Sequence, residues 1–595
     1  MEFEQKAEEK KMSMSKNIAR LAVTAGLTAA LSFGGVMAPV TMAFADDVAA
    51  PDNSITIKKV DDANSDNTFK AYQIFKAKVV DEEDNGKVAS DIQWANQTIG
   101  LKVITAIQGS AEYKKLVKDG TEELENTASA SVVAEWLSQN VTGTTAGTAN
   151  NKGTRVAPGD VLYSIAKAVA EDEEAAGSSF KAGEQWMRPS TNGDGYYLFV
   201  SDSLTDPAKP STGTSPIFAL VGGDPVTVTE KTSIPTVTKK VRDDKSTSVW
   251  ADKADSQMGQ DVQYQLTGTV ADNIATFGTY YYEFHDELSA GLTADLDSVE
   301  VKVNNATVLK NTTVNAVTGY DAAIDGETNT LTVKFANLKA AAKQAGVTLN
   351  EQSEVVVTYK AKLDPSKAEN VTVGGEGNLN TVKLIYSNNP MSADKGESVP
   401  DAVRDYTYAL KLVKKDHKNK NKLEHVGFTI RATDPDDNAD GSDSKGKYVQ
   451  ELGNLGETPY EFFTDENGEI YIKGLDAGTY TVHEQTALGN YNSLKDFTFT
   501  ISTPVSGAGS LGQNEEEAQT VTVTRNAETS DLVILDASQT DGTVNLTVEN
   551  KKGSNLPLTG LNGVTFTWIA GGAVLCIGVA HLIRSRKQAE ESEQE

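Results

Sequence analysis

Apolar and polar residues alternate with a period of two along most of the chain. Ser54-Ile-Thr-Ile-Lys58, Tyr196-Tyr-Leu-Phe-Val200, Glu354-Val-Val-Val-Thr-Tyr359 and Tyr480-Thr-Val-His483 are rich in β-branched and aromatic residues, with Gly, Asn or Asp nearby. Such alternation predicts strands with one face buried. Helical spacing of apolar positions is confined to the first third, over 98–118, 128–140 and 161–175, and predicts short helices there. Composition breaks divide the interior into 46–232, 233–400 and 401–552. Several strand groups strung along one chain predict a mainly β protein of tandem Ig-like β-sandwich domains, with an α+β domain first.

The two ends follow a different pattern. Residues 21–45 form a small-residue apolar stretch after Lys16 and Arg20, closing on Ala43-Phe44-Ala45. This is the form of a signal peptide with a small-x-small cleavage site, so 1–45 are expected to be removed. The acidic opening stretch is unusual for such a peptide, which makes Met12 and Met14 alternative starts to Met1. At the other end, Leu556-Pro557-Leu558-Thr559-Gly560 precedes a run of 23 residues, 561–583, without Asp, Glu, Lys or Arg. Arg584-Ser585-Arg586-Lys587 follows. The run is long enough to span a bilayer, for which about 20 apolar residues suffice, and the basic cluster holds its end inside. Residues 553–595 therefore read as one sorting unit with a transmembrane segment.

Charge and composition narrow the function. With 84 acidic residues against 55 basic and a net charge of −29, the chain lacks the basic footprint that nucleic acid requires. The single cysteine, Cys576, lies in the C-terminal run, so no disulfide can close within the chain. The five histidines show no zinc spacing. Asp436-Asp-Asn438-Ala-Asp440-Gly441 matches the first half of an EF-hand loop, but its twelfth position is Lys447, so it reads as a solvated acidic loop. There is no phosphate loop or nucleophile elbow. No metal, cofactor or turnover enzyme is expected.

Two predicted strands carry a lysine where an apolar residue belongs. Alternation puts Val237, Lys239 and Val241 on one face, and Leu410, Leu412 and Lys414 on another. Two asparagines pose the same puzzle: Asn388 follows Leu384 and Tyr386, and Asn550 follows Leu546 and Val548. Asp286 and Glu484 end the strands that would supply carboxyl groups. Burial disfavours the charged forms of amine and acid alike. A neutral lysine held beside an asparagine amide can then displace ammonia, with the carboxyl group moving protons. Such a bond would join the first and last strands of a domain and replace the missing disulfides. Alternation alone equally allows snorkelling lysines and turn asparagines.

The motifs carry family resemblances. Leu556–Gly560, the apolar run and the basic tail resemble the LPXTG cell-wall sorting signal, in which a sortase joins the threonine carbonyl, here Thr559, to an amine. Lys414-Lys415-Asp416, Tyr480-Thr-x-x-Glu484 and Val548-x-Asn550 are similar to Cna B-type domains. Pro235-Thr-Val-Thr-Lys239-Lys-Val241, Tyr282-x-Phe284-x-Asp286 and Tyr386-Ser-Asn388-Asn-Pro390 resemble the isopeptide-forming middle domain of Gram-positive major pilins. The resemblance implies crosslinks Lys239–Asn388 and Lys414–Asn550, with Asp286 and Glu484 as their catalytic acids. Tyr480–Tyr491 is similar to the pilin E-box, with Leu488-Gly489-Asn490 in place of its usual Pro and Gly. Lys231 stands where the family places its joining lysine, with Thr229-Glu230 replacing the usual Tyr-Pro. The resemblance implies a secreted, wall-attached backbone subunit of a fimbria, supporting adhesion and polymerised through Thr559 and Lys231. Its partners would be a pilin-specific and a housekeeping sortase, other copies of itself, minor pilins and peptidoglycan. The rival reading is a monomeric wall-anchored or minor-pilin adhesin that binds a host or matrix ligand.

Overall fold

The computed structural model describes residues 52–58, 67–82, 86–141, 156–172, 177–202, 210–229, 233–242, 249–313, 316–435, 444–502, 520–524, 531–536 and 542–553. Within them the protein is mainly β, as the alternation predicts, and its helices concentrate in the first third. The signal-peptide stretch, Lys231, the acidic loop at 436–441 and the whole sorting unit from 554 onward lie outside the described residues. Among the described residues no helix is long and apolar enough to cross a membrane.

The first segment is built on a five-stranded sheet centred on Thr68–Glu82 and Gly195–Ser201. Gly195–Ser201 is buried on both faces. Tyr196, Leu198 and Val200 pack against the helices, while Tyr197 and Phe199 meet the three-stranded sheet formed around Ser54–Lys58. The predicted helix over 98–118 is two helices, Gln97–Gly109 and Ala111–Lys118. Ser110 between them adopts an extended conformation, and its side chain accepts from Tyr113 N, capping the second helix. The other two run Ala130–Asn140 and Val161–Ala170.

The middle segment is a sandwich of a six-stranded and a seven-stranded sheet. Between them lies a core that includes Tyr264, Tyr282, Phe284, Tyr359 and Leu384. Strand Asp401–Tyr406 pairs with Asn378–Ser387, so the middle sheet continues past residue 400, the expected boundary. The last segment is a second sandwich. Its first strand, Tyr408–Asp416, lies parallel to its last, Thr543–Asn550, with Ala409 level with Thr543 and Asp416 with Asn550.

The segments meet through buried polar contacts. Residues 211–215 of the first segment thread along the middle one: Tyr386 Oη donates to Ser211 O at 3.1 Å, and Asn273 Nδ2 to Gly213 O at 2.9 Å. Gln257 joins the middle and last segments. Its amide nitrogen donates to Gly453 O and Gly474 O, and its oxygen accepts from Tyr480 Oη and Asp476 N. Both donor hydrogens and both acceptor positions of one buried amide are thereby engaged. Met258 packs on Gly474, where φ is +91° and an added Cβ would collide with the methionine. Gln257→Ala should therefore speed hydrogen exchange of the Met258 and Asp476 amides at least tenfold, with Val357 in the central sheet unaffected. Unchanged exchange at the joint would show that Gln257 does not hold it.

Candidate functional site

Lysine in a sheet core is the most costly choice the sequence makes, since a buried ion is stable only when paired. In the last segment the strand Tyr408–Asp416 points Leu410, Leu412 and Lys414 inward. Lys414 is fully buried, and its ammonium lies 5.2 Å from the centre of the Phe428 ring. Lys414 Nζ donates to Glu484 Oε2 at 2.9 Å and to Asn550 Oδ1 at 2.5 Å. Asn550 Nδ2 donates to Glu484 Oε1 at 2.6 Å. The three side chains form a closed ring, as the sequence predicts for this segment. The parallel register accounts for the meeting, because it sets Asn550 beside Asp416, one same-face position beyond Lys414.

In the middle segment Val237, Lys239 and Val241 are buried while Thr238 is exposed. Lys239 Nζ donates to Asp286 Oδ1 and, at 3.1 Å, to Tyr359 Oη. Tyr359 Oη donates to Asp286 Oδ2 at 2.6 Å and accepts from Asn380 Nδ2 at 2.7 Å. Lysine and aspartate meet as predicted. The expected acceptor, Asn388, does not join them.

Asn388 sits instead at the joint with the first segment, its backbone carbonyl accepting from Gly213 N at 2.5 Å and its side-chain amide against Gly396. The asparagine in the lysine's cluster is Asn380, fully buried on the strand Asn378–Ser387. Both asparagines satisfy the same alternation. Eight residues of strand separate them, about 26 Å of rise at ~3.3 Å each. Face is shared, but level along the strand is not. The alternation Asn380, Val382, Leu384 and Tyr386 in the sequence carries the signal; Tyr359 has no comparable one.

Burial and ion pairing act on the two lysines in opposite directions. Desolvation pulls both lysines down from the ordinary 10.5 to about 8, against the opposing pull of Asp286 on Lys239 and of Glu484 on Lys414. A pKa of about 8 leaves about a tenth of each amine neutral at pH 7. The Asn380 carbonyl oxygen has no hydrogen-bond partner among the described residues. Beside the last ring, Tyr491 Oη donates to Asp416 Oδ2 at 2.7 Å. That bond, with the Asn419 and Lys418 amides, holds Asp416 at about 2. Among the described residues no cluster of His, Cys, Asp and Glu could hold a metal ion.

Residues 408–510 match the family model described as SpaA, prealbumin-like fold domain. No curated protein matches the chain. Among solved structures it is similar to the T6 backbone pilin of serotype M6 Streptococcus pyogenes, at 15% identity and a TM-score of 0.48, over 85% of this chain and 100% of that one. It is similar to the full-length major pilin SpaD of Corynebacterium diphtheriae, at 16% identity and a TM-score of 0.39, over 84% and 97%. The major pilin subunit BcpA of Bacillus cereus matches at 14% identity and a TM-score of 0.34, over 84% and 99%.

The depressed lysine has a measurable sign. In an Asn550→Ala chain the Lys414 amine should titrate near 8 instead of 10.5, followed by side-chain nitrogen NMR. Between those values the unfolded chain holds a proton that the folded chain does not. Stability of the last segment should therefore rise as pH increases from 8 to 10.5, by at most about 1.4 kcal/mol per pH unit. A titration at 10.5 would show that burial does not disfavour the charge.

Proposed function

We propose that the protein is the structural backbone subunit of a sortase-assembled fimbria, stabilised by two intramolecular amide bonds, Lys239–Asn380 and Lys414–Asn550. The observation that carries this reading is the buried ring of Lys414, Glu484 and Asn550, which spans the first and last strands of one sandwich. A hydrophobic replacement would satisfy stability with less strain on the sequence. A buried amine against a primary amide, with a carboxyl group bonded to both, is an arrangement for condensation. The neutral amine attacks the side-chain carbonyl carbon, the carboxyl group takes the surplus amine proton and supplies one to the departing nitrogen, and ammonia leaves.

The bond suits a subunit that bears load. Lys414 and Asn550 are 136 positions apart in sequence. By loop-closure entropy, tying such a pair contributes on the order of 5 kcal/mol. A disulfide would serve the same purpose, but the chain has no cysteine pair. Thr559 of one copy joined to Lys231 of the next gives a head-to-tail contact, which does not close on itself and so extends as a fibre. Secretion follows from the signal peptide at 1–45, and a pilin-specific sortase for joining, a housekeeping sortase for final attachment to peptidoglycan and placement on the cell surface follow from the sorting unit at 553–595. Minor pilins and adhesion to a host or matrix ligand belong to the same reading.

The intact mass of the full chain should fall two ammonias short of the value calculated for the same unlinked residues. Asn380→Ala and Asn550→Ala should each restore one, whereas Asn388→Ala should restore none. A mass equal to the unlinked value would remove the crosslinks from the proposal. For polymerisation, cells should yield high-mass ladders on denaturing gels that vanish with Lys231→Ala. Ladders that persist would assign the joint to another lysine, and their absence from the unaltered protein would leave the monomeric adhesin.

A further inference from the structure

The two reaction centres differ in one part. In the last segment a single glutamate reaches both reactants, Oε2 to Lys414 Nζ and Oε1 to Asn550 Nδ2. In the middle segment the acid is Asp286, one methylene shorter, and among the described residues no hydrogen bond joins it to Asn380. Tyr359 fills that gap. Its hydroxyl is bonded to Asp286 Oδ2, Asn380 Nδ2 and Lys239 Nζ at once. The ring is stacked on Tyr264, centroids 5.3 Å apart and planes within 14°, and is buried. Burial and the neighbouring Asp286 raise the phenol's pKa well above its ordinary value, so the hydroxyl keeps its proton.

Resting on the Lys239–Asn380 bond proposed above, we propose that Tyr359 is a catalytic proton relay for its formation, doing through its hydroxyl what the second oxygen of Glu484 does directly. Lys239 Nζ, as the free amine, attacks Cγ of Asn380, and the carbonyl π pair moves to Oδ1. With the phenol turned from Oδ2 towards Nδ2, the acid proton of Asp286 leaves from Oδ2 to Tyr359 Oη as the phenol proton passes to Nδ2. The surplus Nζ proton then refills Asp286 at Oδ1, the atom that faces the lysine. The carbonyl re-forms, the Cγ–Nδ2 bond breaks and ammonia departs. One C–N bond is made and one broken, Asp286 and Tyr359 end as they began, and no oxidant or further reactant is required.

Tyr359→Phe keeps the stacked ring and removes only the hydroxyl. In the full chain, followed by intact mass and by mapping of the joined peptides after synthesis, closure of Lys239–Asn380 should slow at least a hundredfold, the usual range for a lost acid–base group. Lys414–Asn550 should close at its normal rate in the same molecules. Adding Asp286→Glu to Tyr359→Phe supplies the missing methylene and should restore the middle bond. Normal closure in Tyr359→Phe overturns the relay, as does a double variant that fails to close. An unaltered chain with the last bond but without the middle one would instead defeat the Lys239–Asn380 assignment, and the relay with it.

Discussion

A charged lysine inside a dry sheet core has to be paired, discharged or consumed, and much of this architecture answers that requirement. Lys239 and Lys414 each face inward from the first strand of a sandwich, and each has a carboxylate from a different strand within bonding distance. Removing one partner of such a pair typically costs about 3–5 kcal/mol, because the other is left charged and unsolvated. The aromatic walls, Tyr264 and Tyr359 around one amine and Phe428 beside the other, exclude the water that would relieve the strain. The same exclusion lowers the amines' basicity and makes them nucleophiles. In the proposed chemistry, stability before closure is given up locally so that a covalent tie can form afterwards.

The two centres reach one chemistry by different geometry. In the last segment the parallel register of first and last strands delivers Asn550 to Lys414 within one sheet. In the middle segment Lys239 and Asn380 belong to opposite sheets, and the groups meet across the core. A contact across the core is not fixed by strand pairing. That difference is the physical setting in which a shorter acid needs a phenol beside it.

Period-two alternation made much of this legible before any coordinates. It identified the strands and set Lys239 and Lys414 on their inward faces, because each of those depends only on which side of a strand a residue occupies. It also set Asn550 on the inward face, where the residue is buried beside Lys414. It failed for Asn388 because three asparagines, Asn378, Asn380 and Asn388, share one face. Which of them is level with Lys239 depends on how two sheets slide over each other, and no local pattern encodes that offset. Tyr359 was invisible for a related reason: on its own strand it is an ordinary aromatic at an inward position. The break at Ser110 was missed because apolar spacing continues through it, while the cap acts through a single hydroxyl.

The position of each amine along its strand has a mechanical corollary. With the proposed Lys414–Asn550 bond in place, tension arriving at Tyr408 would run only as far as Lys414, cross to Asn550, and leave within a few residues at Gly553. Everything between those two side chains, the greater part of the last sandwich, would hang slack beside the taut line. In the proposed fimbria, turns and insertions there could change length or sequence without altering the extension of a loaded fibre. The surface a cell displays and the strand that bears its weight would then be free to evolve separately.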